Sequence, residues 1–283
     1  MIENAYAKIN LSLDVVGKRD DGYHELSMIM VSLYFYDVLE MSISDDMEIN
    51  QNIGYIPKDE NNTVIKAIEV MRREFNFKEN FKIDLIIHIP TQAGLAGGSA
   101  DAAAAMRLVK KLLKLEVSNN KMIELAKKVG ADVPFCFMNK PAIVSGIGEK
   151  LEFFDLDCDF HILLVKPKKG ISTKVAFSNL DFNKCEHPDI KKMKEALISN
   201  DYDGVISNLK NSLEQPSFML VPQIKEIKDE MIELGMDGAL MSGSGSTVFG
   251  ITKDLETLER VNNHFKSKKL FTRKTVIKKS GET

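Results

Sequence analysis

Residues 90–101 constrain this chain more than any other stretch: Pro90-Thr91-Gln92-Ala93-Gly94-Leu95-Ala96-Gly97-Gly98-Ser99-Ala100-Asp101. Before them, Phe81, Ile83, Leu85, Ile87 and Ile89 occupy every second position, the period of a β-strand. Pro90 stops that strand, because it has no N–H to give to a ladder. After the loop, the alanine-rich run from Ser99 to Leu115 predicts a helix. Gly94, Gly97 and Gly98 let the backbone turn tightly and approach a ligand closely. A helix beginning there offers N–H groups and the positive end of its dipole. Strand, glycine loop and helix start together make an anion site of the kind that holds phosphate. The plainer reading is a glycine loop with Ser99 as the helix N-cap. No Gly-Lys-Ser/Thr follows, so this is not a Walker A loop, and it lacks the G-x-G-x-x-G dinucleotide pattern.

Composition narrows the class of protein. The chain has 283 residues, enough for about two domains and a sizeable core. Lys and Arg number 38 against 41 Asp and Glu, a formal charge of −3. That balance argues against a nucleic-acid binder. Cys136, Cys158 and Cys185 form no C-x-x-C pair, so neither a disulfide framework nor a cysteine zinc site is expected. A reducing, cytoplasmic setting fits this cysteine usage. No basic region followed by an apolar stretch marks a signal peptide, and no apolar run reaches the ~18 residues of a membrane span.

The rest of the chain mixes strands and helices. In residues 5–16, Ala7, Ile9, Leu11, Leu13 and Val15 share one face and Lys8, Asn10, Ser12 and Asp14 the other, which predicts a half-buried strand. Residues 17–22 are turn chemistry, and 28–43 read as a second strand. Asn62 or Thr63 would cap a helix burying Val64, Ala67, Ile68 and Met71. Ser118 would cap another, closed by Gly130. Residues 160–165 read as a strand, and 189–235 as two or three helices. Two short strands flank a second glycine loop, Ser242-Gly243-Ser244-Gly245-Ser246. A helix at 254–267 and a strand at 270–278 follow. Without regular βαβ alternation, an α+β fold is expected rather than a doubly wound sheet.

Several single residues carry two readings from their own chemistry. Lys8 and Asn10 share a strand face, and spacing alone places such a lysine in solvent. Asp132, between Gly130-Ala131 and Val133-Pro134, reads first as a turn residue. Tyr23 and His24 are either a surface turn or a stacking platform. The 241–247 loop by itself reads as a hairpin turn.

In combination these segments resemble the GHMP kinase superfamily, named for galactokinase, homoserine, mevalonate and phosphomevalonate kinases. The strand motif near residues 5–16, the central loop at 90–101 and the Gly-Ser-Gly loop at 241–247 occur in that order. Within the superfamily the chain is most similar to members acting on a cytidyl diphosphate alcohol. Ala7-Lys8-Ile9-Asn10-Leu11, Gly22-Tyr23-His24-Glu25-Leu26, Gly130-Ala131-Asp132-Val133-Pro134-Phe135, Gly170-Ile171-Ser172-Thr173 and Asn211-Ser212-Leu213-Glu214 carry that likeness.

The resemblance implies a two-domain α+β fold with a deep cleft, with residues 1–157 as an N-terminal ATP-binding domain and 158–283 as a C-terminal domain. It implies ATP-dependent phosphorylation of an alcohol, with ATP and Mg²⁺ as cofactors. Lys8 and Asp132 would be the catalytic pair. Pro90, Thr91, Gln92, Ala93, Gly94, Leu95, Ala96, Gly97, Gly98, Ser99 and Ala100 would hold the nucleotide, with Asn62 near the adenine. Asn10, Tyr23, His24 and Thr173 would contact the cytidyl substrate. Its Mg²⁺ ligands are unknown, since no family glutamate can be placed. The chain departs from the family at Ala96, where glycine is common, and at Ser246, where proline is common. A monomer or homodimer acting on a small molecule, with neither nucleic acid nor membrane as partner, completes the expectation. Homoserine- or mevalonate-type kinases would lack the Gly22–Leu26 segment, and a non-catalytic nucleotide sensor would need neither Lys8 nor Asp132.

Overall fold

The computed structural model describes residues 1–279. Its first half comprises β1 (Ile2–Lys18), β2 (His24–Ser44), β3 (Glu48–Gln51), α1 (Thr63–Phe75), β4 (Asn80–Ile86), α2 (Gly97–Leu112), α3 (Asn119–Val129), α4 (Val133–Met138), β5 (Ala142–Gly146) and β6 (Lys150–Phe153). The second half comprises β7 (His161–Lys166), α5 (Thr173–Ser178), α6 (Ile190–Ile198), α7 (Tyr202–Ser207), β8 (Lys210–Asn211), α8 (Glu214–Leu220), α9 (Gln223–Glu233), β9 (Gly238–Met241), β10 (Val248–Thr252), α10 (Leu255–Ser267) and β11 (Phe271–Thr275). The fold is α+β, as expected. Residues 189–235 hold four helices rather than two or three, because Asp189 and Asp201 each cap a short helix of their own.

Two compact units emerge, each built from several stretches of chain. The first contains residues 1–7, 35–90 and 96–139; the second contains 8–34, 91–95 and everything from 140 onward. The chain passes between them inside β1, inside β2 and within the 90–96 loop.

In the first unit, β4 runs antiparallel to β2 from Val38↔Ile86 to Ser44↔Asn80, and β3 lies parallel to β4. Helix α1 packs on α2 and α3, and α2 packs on α4. Helix α2 buries Ala100 and Ala102 through Ala105. Such small side chains let neighbouring helices approach closely and cost little entropy to order. Helix α1 starts where the sequence predicts: Asn62 Oδ1 accepts from Val64 N at 2.9 Å, and Val64, Ala67, Ile68 and Met71 are buried. Ser118 caps α3 through Lys121 N.

In the second unit, β5 pairs antiparallel with the first part of β2, and β8 pairs parallel with β1 at Ser12↔Lys210. A separate antiparallel sheet has the order β11-β7-β10-β9. Strand β7 buries Ile162, Leu163, Leu164 and Val165 completely, and α9 and α10 pack on this sheet. A strand covered on both faces reads as a continuous apolar run rather than an alternation.

Strand β1 corrects the sequence reading. Every residue from Ala5 to Leu13 is buried, so the Lys8, Asn10 and Ser12 face is covered rather than solvated. Alternation reports polarity, and here the polar face turns toward other backbone instead of water.

The Asn62 cap yields a stability test. Asn62→Ala should lower unfolding free energy by about 1 kcal/mol or more, since Asn62 Nδ2 also donates to Pro57 O at 2.7 Å, while Asn62→Ser, which keeps an accepting oxygen for the helix, should lose less. Urea titrations of both variants compare the two; equal losses would show that the cap contributes nothing.

Candidate active site

In the second unit the β1 motif, the 91–95 loop and the 241–247 loop converge. The backbone N–H of Lys8 donates to Leu95 O at 3.1 Å. Ser242 Oγ donates to Gly94 O at 3.0 Å, and Thr247 N donates to Ala93 O at 3.2 Å. Gly94 has φ +73°, and a Cβ built on it would lie 2.0 Å from Ser242 O. Only glycine fits where a left-handed backbone meets another backbone that closely. The central loop and the Gly-Ser-Gly loop are therefore in direct contact. The latter is also the β9–β10 hairpin turn, with Met241 opposite Val248.

Lys8 is 4% exposed, and its Nζ donates to Asn10 Oδ1 at 2.9 Å. A Cβ on Gly243 would stand 3.4 Å from Lys8 Nζ. The ammonium thus lies under the second glycine loop, the opposite of the solvent position its spacing suggests. Burying it requires polar partners, and Asn10 supplies one. Thr173, the first residue of α5, is 3.0 Å from Ser244 through the two hydroxyls. A Cβ on Gly170 would be 2.6 Å from that of Gln92, so the 170–173 segment also reaches the central loop.

The 211–214 motif, to which the sequence assigned no role, holds the second loop in place. Asn211 Nδ2 donates to both Met241 O and Gly243 O at 2.8 Å. Glu214 Oε1 accepts from Met241 N at 3.0 Å, and its other oxygen meets Lys228 Nζ at 2.6 Å. Burial raises the Glu214 carboxyl's pKa, and Lys228 opposes that. The signal for these residues lay only in their motif, since a buried asparagine bonding two carbonyls has no periodicity.

His24 is brought onto two phenylalanines that the sequence did not single out. Its ring stacks on Phe177 at 5.0 Å between centroids and on Phe182 at 6.1 Å. Burial, then the nearby Lys18 charge, lowers the His24 pKa, so the imidazole is neutral at pH 7. Tyr23, in the preceding turn, is 60% exposed.

In the first unit, α2 begins at Gly97, and its N-cap is Ala96 at φ 59°, with no side-chain capping bond. Ser99 therefore lies inside the first turn and is not the cap. The alanine at 96 holds a conformation that favours glycine, at a cost of about 1–2 kcal/mol. Gly97 and Gly98 are needed for space rather than for φ: a Cβ on Gly97 would meet Ile89 Cγ2 at 3.1 Å, and one on Gly98 would meet Thr63 Oγ1 at 3.3 Å. Thr63 Oγ1 donates to Gly98 O at 2.7 Å, which brings the Asn62 segment to the loop. Lys66 Nζ donates to Val129 O at 2.8 Å, tying α1 to the end of α3 just before Asp132. Asp132 is half-buried at the N-cap position of α4 and makes no capping bond. Lys8 and Asp132 belong to different units.

Among the described residues, no group of three or more His, Cys, Asp or Glu side chains is arranged to hold a metal ion. No helix among them is long and apolar enough to cross a membrane.

Within the second unit, a glycine-bearing loop at 91–95 meets a second glycine loop, with a buried lysine under the latter. The sequence pattern of the GHMP kinases N terminal domain matches residues 62–140, and that of the GHMP kinases C terminal matches 184–269. The chain belongs to the GHMP kinase family. It is 42% identical over 270 residues to a 4-diphosphocytidyl-2-C-methyl-D-erythritol kinase of Clostridium novyi (strain NT), covering 95% of this chain and 96% of that one. It is 40% identical to a kinase of the same name from Bacillus cereus (strain B4264), covering 94% and 93%. Among solved structures, a 4-(cytidine 5'-diphospho)-2C-methyl-D-erythritol kinase superposes with a TM-score of 0.82 at 28% identity, covering 98% and 99%. A homoserine kinase from Cytophaga hutchinsonii shares the fold, with a TM-score of 0.76 at 16% identity over 98% and 96%.

Gly94→Ala tests the contact between the glycine loops. Positive φ and a carbonyl in the Cβ position should together cost about 2–4 kcal/mol and lower Tm by roughly 5–10 °C. An unchanged Tm by calorimetry would mean that the two loops part without penalty.

Proposed function

We propose that this chain transfers the γ-phosphoryl group of ATP to the tertiary 2-hydroxyl of 4-diphosphocytidyl-2-C-methyl-D-erythritol, a step of non-mevalonate isoprenoid synthesis. The observation that carries the reading is the likeness to kinases of that name along nearly the whole chain. The His24–Phe177–Phe182 stack favours it over a homoserine- or mevalonate-type kinase, whose substrates have no base to stack.

The roles of individual residues follow from their chemistry. Phosphoryl transfer depends mostly on positioning and on charge stabilisation. Residues 90–100 bind the phosphates, with the N–H groups of the first turn of α2 directed at the anion. Asn62 lies at the adenine side. Asp132 accepts or orients the substrate hydroxyl proton. Lys8 offsets charge on the transferring group. Asn10 and Thr173 orient the acceptor alcohol. Tyr23 and His24 take the cytosine, His24 as a neutral imidazole able to donate from one ring nitrogen and accept at the other.

When bound, Mg²⁺ neutralises charge on the nucleotide phosphates. Among the described residues no group of three or more His, Cys, Asp or Glu side chains stands ready for that ion, and none of these roles runs through it. The family matches at 62–140 and 184–269 fall on either side of residue 157, which supports the division into 1–157 and 158–283. We take the enzyme to act in the cytoplasm as a monomer or homodimer on its small-molecule substrate.

Two variants test the reading by steady-state kinetics. Asp132→Asn should lower kcat by 10²–10⁴-fold, the usual worth of general-base assistance, with little change in either KM. Turnover within about threefold of wild type would return Asp132 to the role of a turn residue. His24→Ala should raise KM for the cytidyl substrate about tenfold, or ~1.4 kcal/mol, and leave KM for ATP nearly unchanged. A rise confined to ATP would move the 22–26 segment to the nucleotide side.

A further inference from the structure

Behind the first turn of α2, within the first unit, lie two buried carboxyls outside the proposed phosphoryl-transfer chemistry. Asp37, on β2, is fully buried, and its Oδ1 accepts from the backbone N–H groups of His88 at 2.5 Å and Ile89 at 2.7 Å. These are the last two residues before Pro90. Asp101, also buried, is in α2 immediately after the residues that begin the helix. The two carboxyls lie within hydrogen-bonding reach of each other. Gly97 lies between them and the strand end, its Cβ position 3.1 Å from Ile89 Cγ2 and 3.7 Å from Asp37 Oδ2.

Two oxygens remain to be accounted for. Asp37 Oδ2 and Asp101 Oδ1 are inaccessible to solvent, and as carboxylate oxygens neither has a donor. Two carboxylates cannot bond each other, because both only accept. Two buried negative charges in contact also repel strongly. One proton removes both difficulties, turning a pair of orphaned acceptors into an O–H···O⁻ hydrogen bond, among the shorter and stronger kinds.

We propose that a single proton shared between Asp37 and Asp101 makes these carboxyls a positioning clamp for the phosphate loop, one that opens when the proton is lost. Asp37 holds the strand entering the loop and Asp101 the helix leaving it, so their mutual bond fixes the ends between which residues 90–96 are strung. The functional half of this inference rests on reading 90–100 as the phosphate loop. Both are positioning residues, since neither touches the reacting atoms.

Burial, and then the charge of Asp37, pushes the Asp101 carboxyl well above its ordinary 3.8. Burial raises Asp37 as well, but its two backbone N–H bonds and the Asp101 hydroxyl pull it back. Both carboxyls are thus pushed upward, so that the pair keeps a proton where free carboxyls would have lost it. The groups facing the pair are Asp37 itself on β2, Asp101 on α2, and His88 on the segment after β4. His88 Nδ1 is 3.1 Å from Tyr36 O, and its charge, when present, favours ionised Asp37.

The sign of the stability effect follows. In the unfolded chain Asp101 loses its proton near pH 4, while in the folded protein it keeps it. The folded state then binds more protons than the unfolded one, so stability falls as pH rises from about 4 until Asp101 ionises in the fold.

Asp101→Asn is the decisive variant, because the amide donates an N–H to Asp37 at every pH. Asp101→Leu removes the donor altogether. At pH 7, the infrared difference between wild type and D101N should contain the C=O stretch of a protonated carboxylic acid. This band reports the proton whether or not the chain phosphorylates a cytidyl alcohol. By calorimetry with ATP alone, wild-type affinity should weaken on an alkaline limb that D101N lacks. D101L should bind ATP at least tenfold more weakly at pH 7 and bind the cytidyl substrate within twofold of wild type. The fall in Tm with rising pH should be shallower in D101N. Absence of the carboxylic-acid band, or the same alkaline limb in D101N, overturns the proposal. D101N remains informative even if D101L does not fold.

Discussion

Much of the second unit's arrangement depends on one close approach: the carbonyl of Ser242 occupies the place where any residue but glycine at 94 would put its Cβ. A positive φ at Gly94 turns the loop, and the absent side chain lets a second backbone enter. Three connections depend on that entry. Ser242 Oγ meets Gly94 O, Thr247 N meets Ala93 O, and Lys8 N of β1 meets Leu95 O in the loop. The first two lock segments more than 140 residues apart in the chain, each onto a main-chain carbonyl of the central loop whose direction the backbone fixes.

That lock explains why β1 departs from its pattern. Its alternation correctly identifies a strand and correctly separates the apolar set from the polar one. It cannot say what covers the polar set, because the cover comes from remote residues: Gly243 beside Lys8 Nζ and Asn10 Oδ1, and Met28 Sδ at 3.1 Å from Asn10 Nδ2. A buried lysine is costly unless it is hydrogen-bonded, and here the polar strand face itself helps, with Asn10 two residues on. The spacing that suggested an exposed face is the spacing that lets Asn10 serve Lys8.

Local signals survived the passage from sequence to structure wherever the responsible partner was near in the chain. Asn62 caps α1, Ser118 caps α3, and the four apolar residues of α1 are buried. Signals failed where the partner was remote or the element too short for a period to show. Helix α4 is a single short helix behind Asp132, and β5 and β6 have five and four residues. Nothing in the local sequence shows that Asn211 bonds the carbonyls of Met241 and Gly243, or that Phe177 and Phe182 cover His24. The candidate site was therefore legible as motifs, through resemblance, but its internal geometry was not. The glycines illustrate the difference. All three in the central loop were read as conformational, yet only Gly94 has the positive φ, and Gly97 and Gly98 instead make room for Ile89 and Thr63.

Asp132 shows how the fold narrows a choice that chemistry alone leaves open. An aspartate before a short helix is ordinarily explained by capping: its side chain accepts from the second or third N–H of the helix, with its own backbone extended. At Asp132 neither condition holds. The backbone is at φ −83°, ψ −11°, in the right-handed helical region, and the side chain makes no capping bond. Asp189 and Asp201, by contrast, begin their helices with extended backbones and accept from Lys192 N and Gly204 N. Backbone geometry at 132 would accommodate many residues, and Pro134 within the first turn already favours a helix start there. Capping of α4 thus gives no reason for a carboxylate at that position.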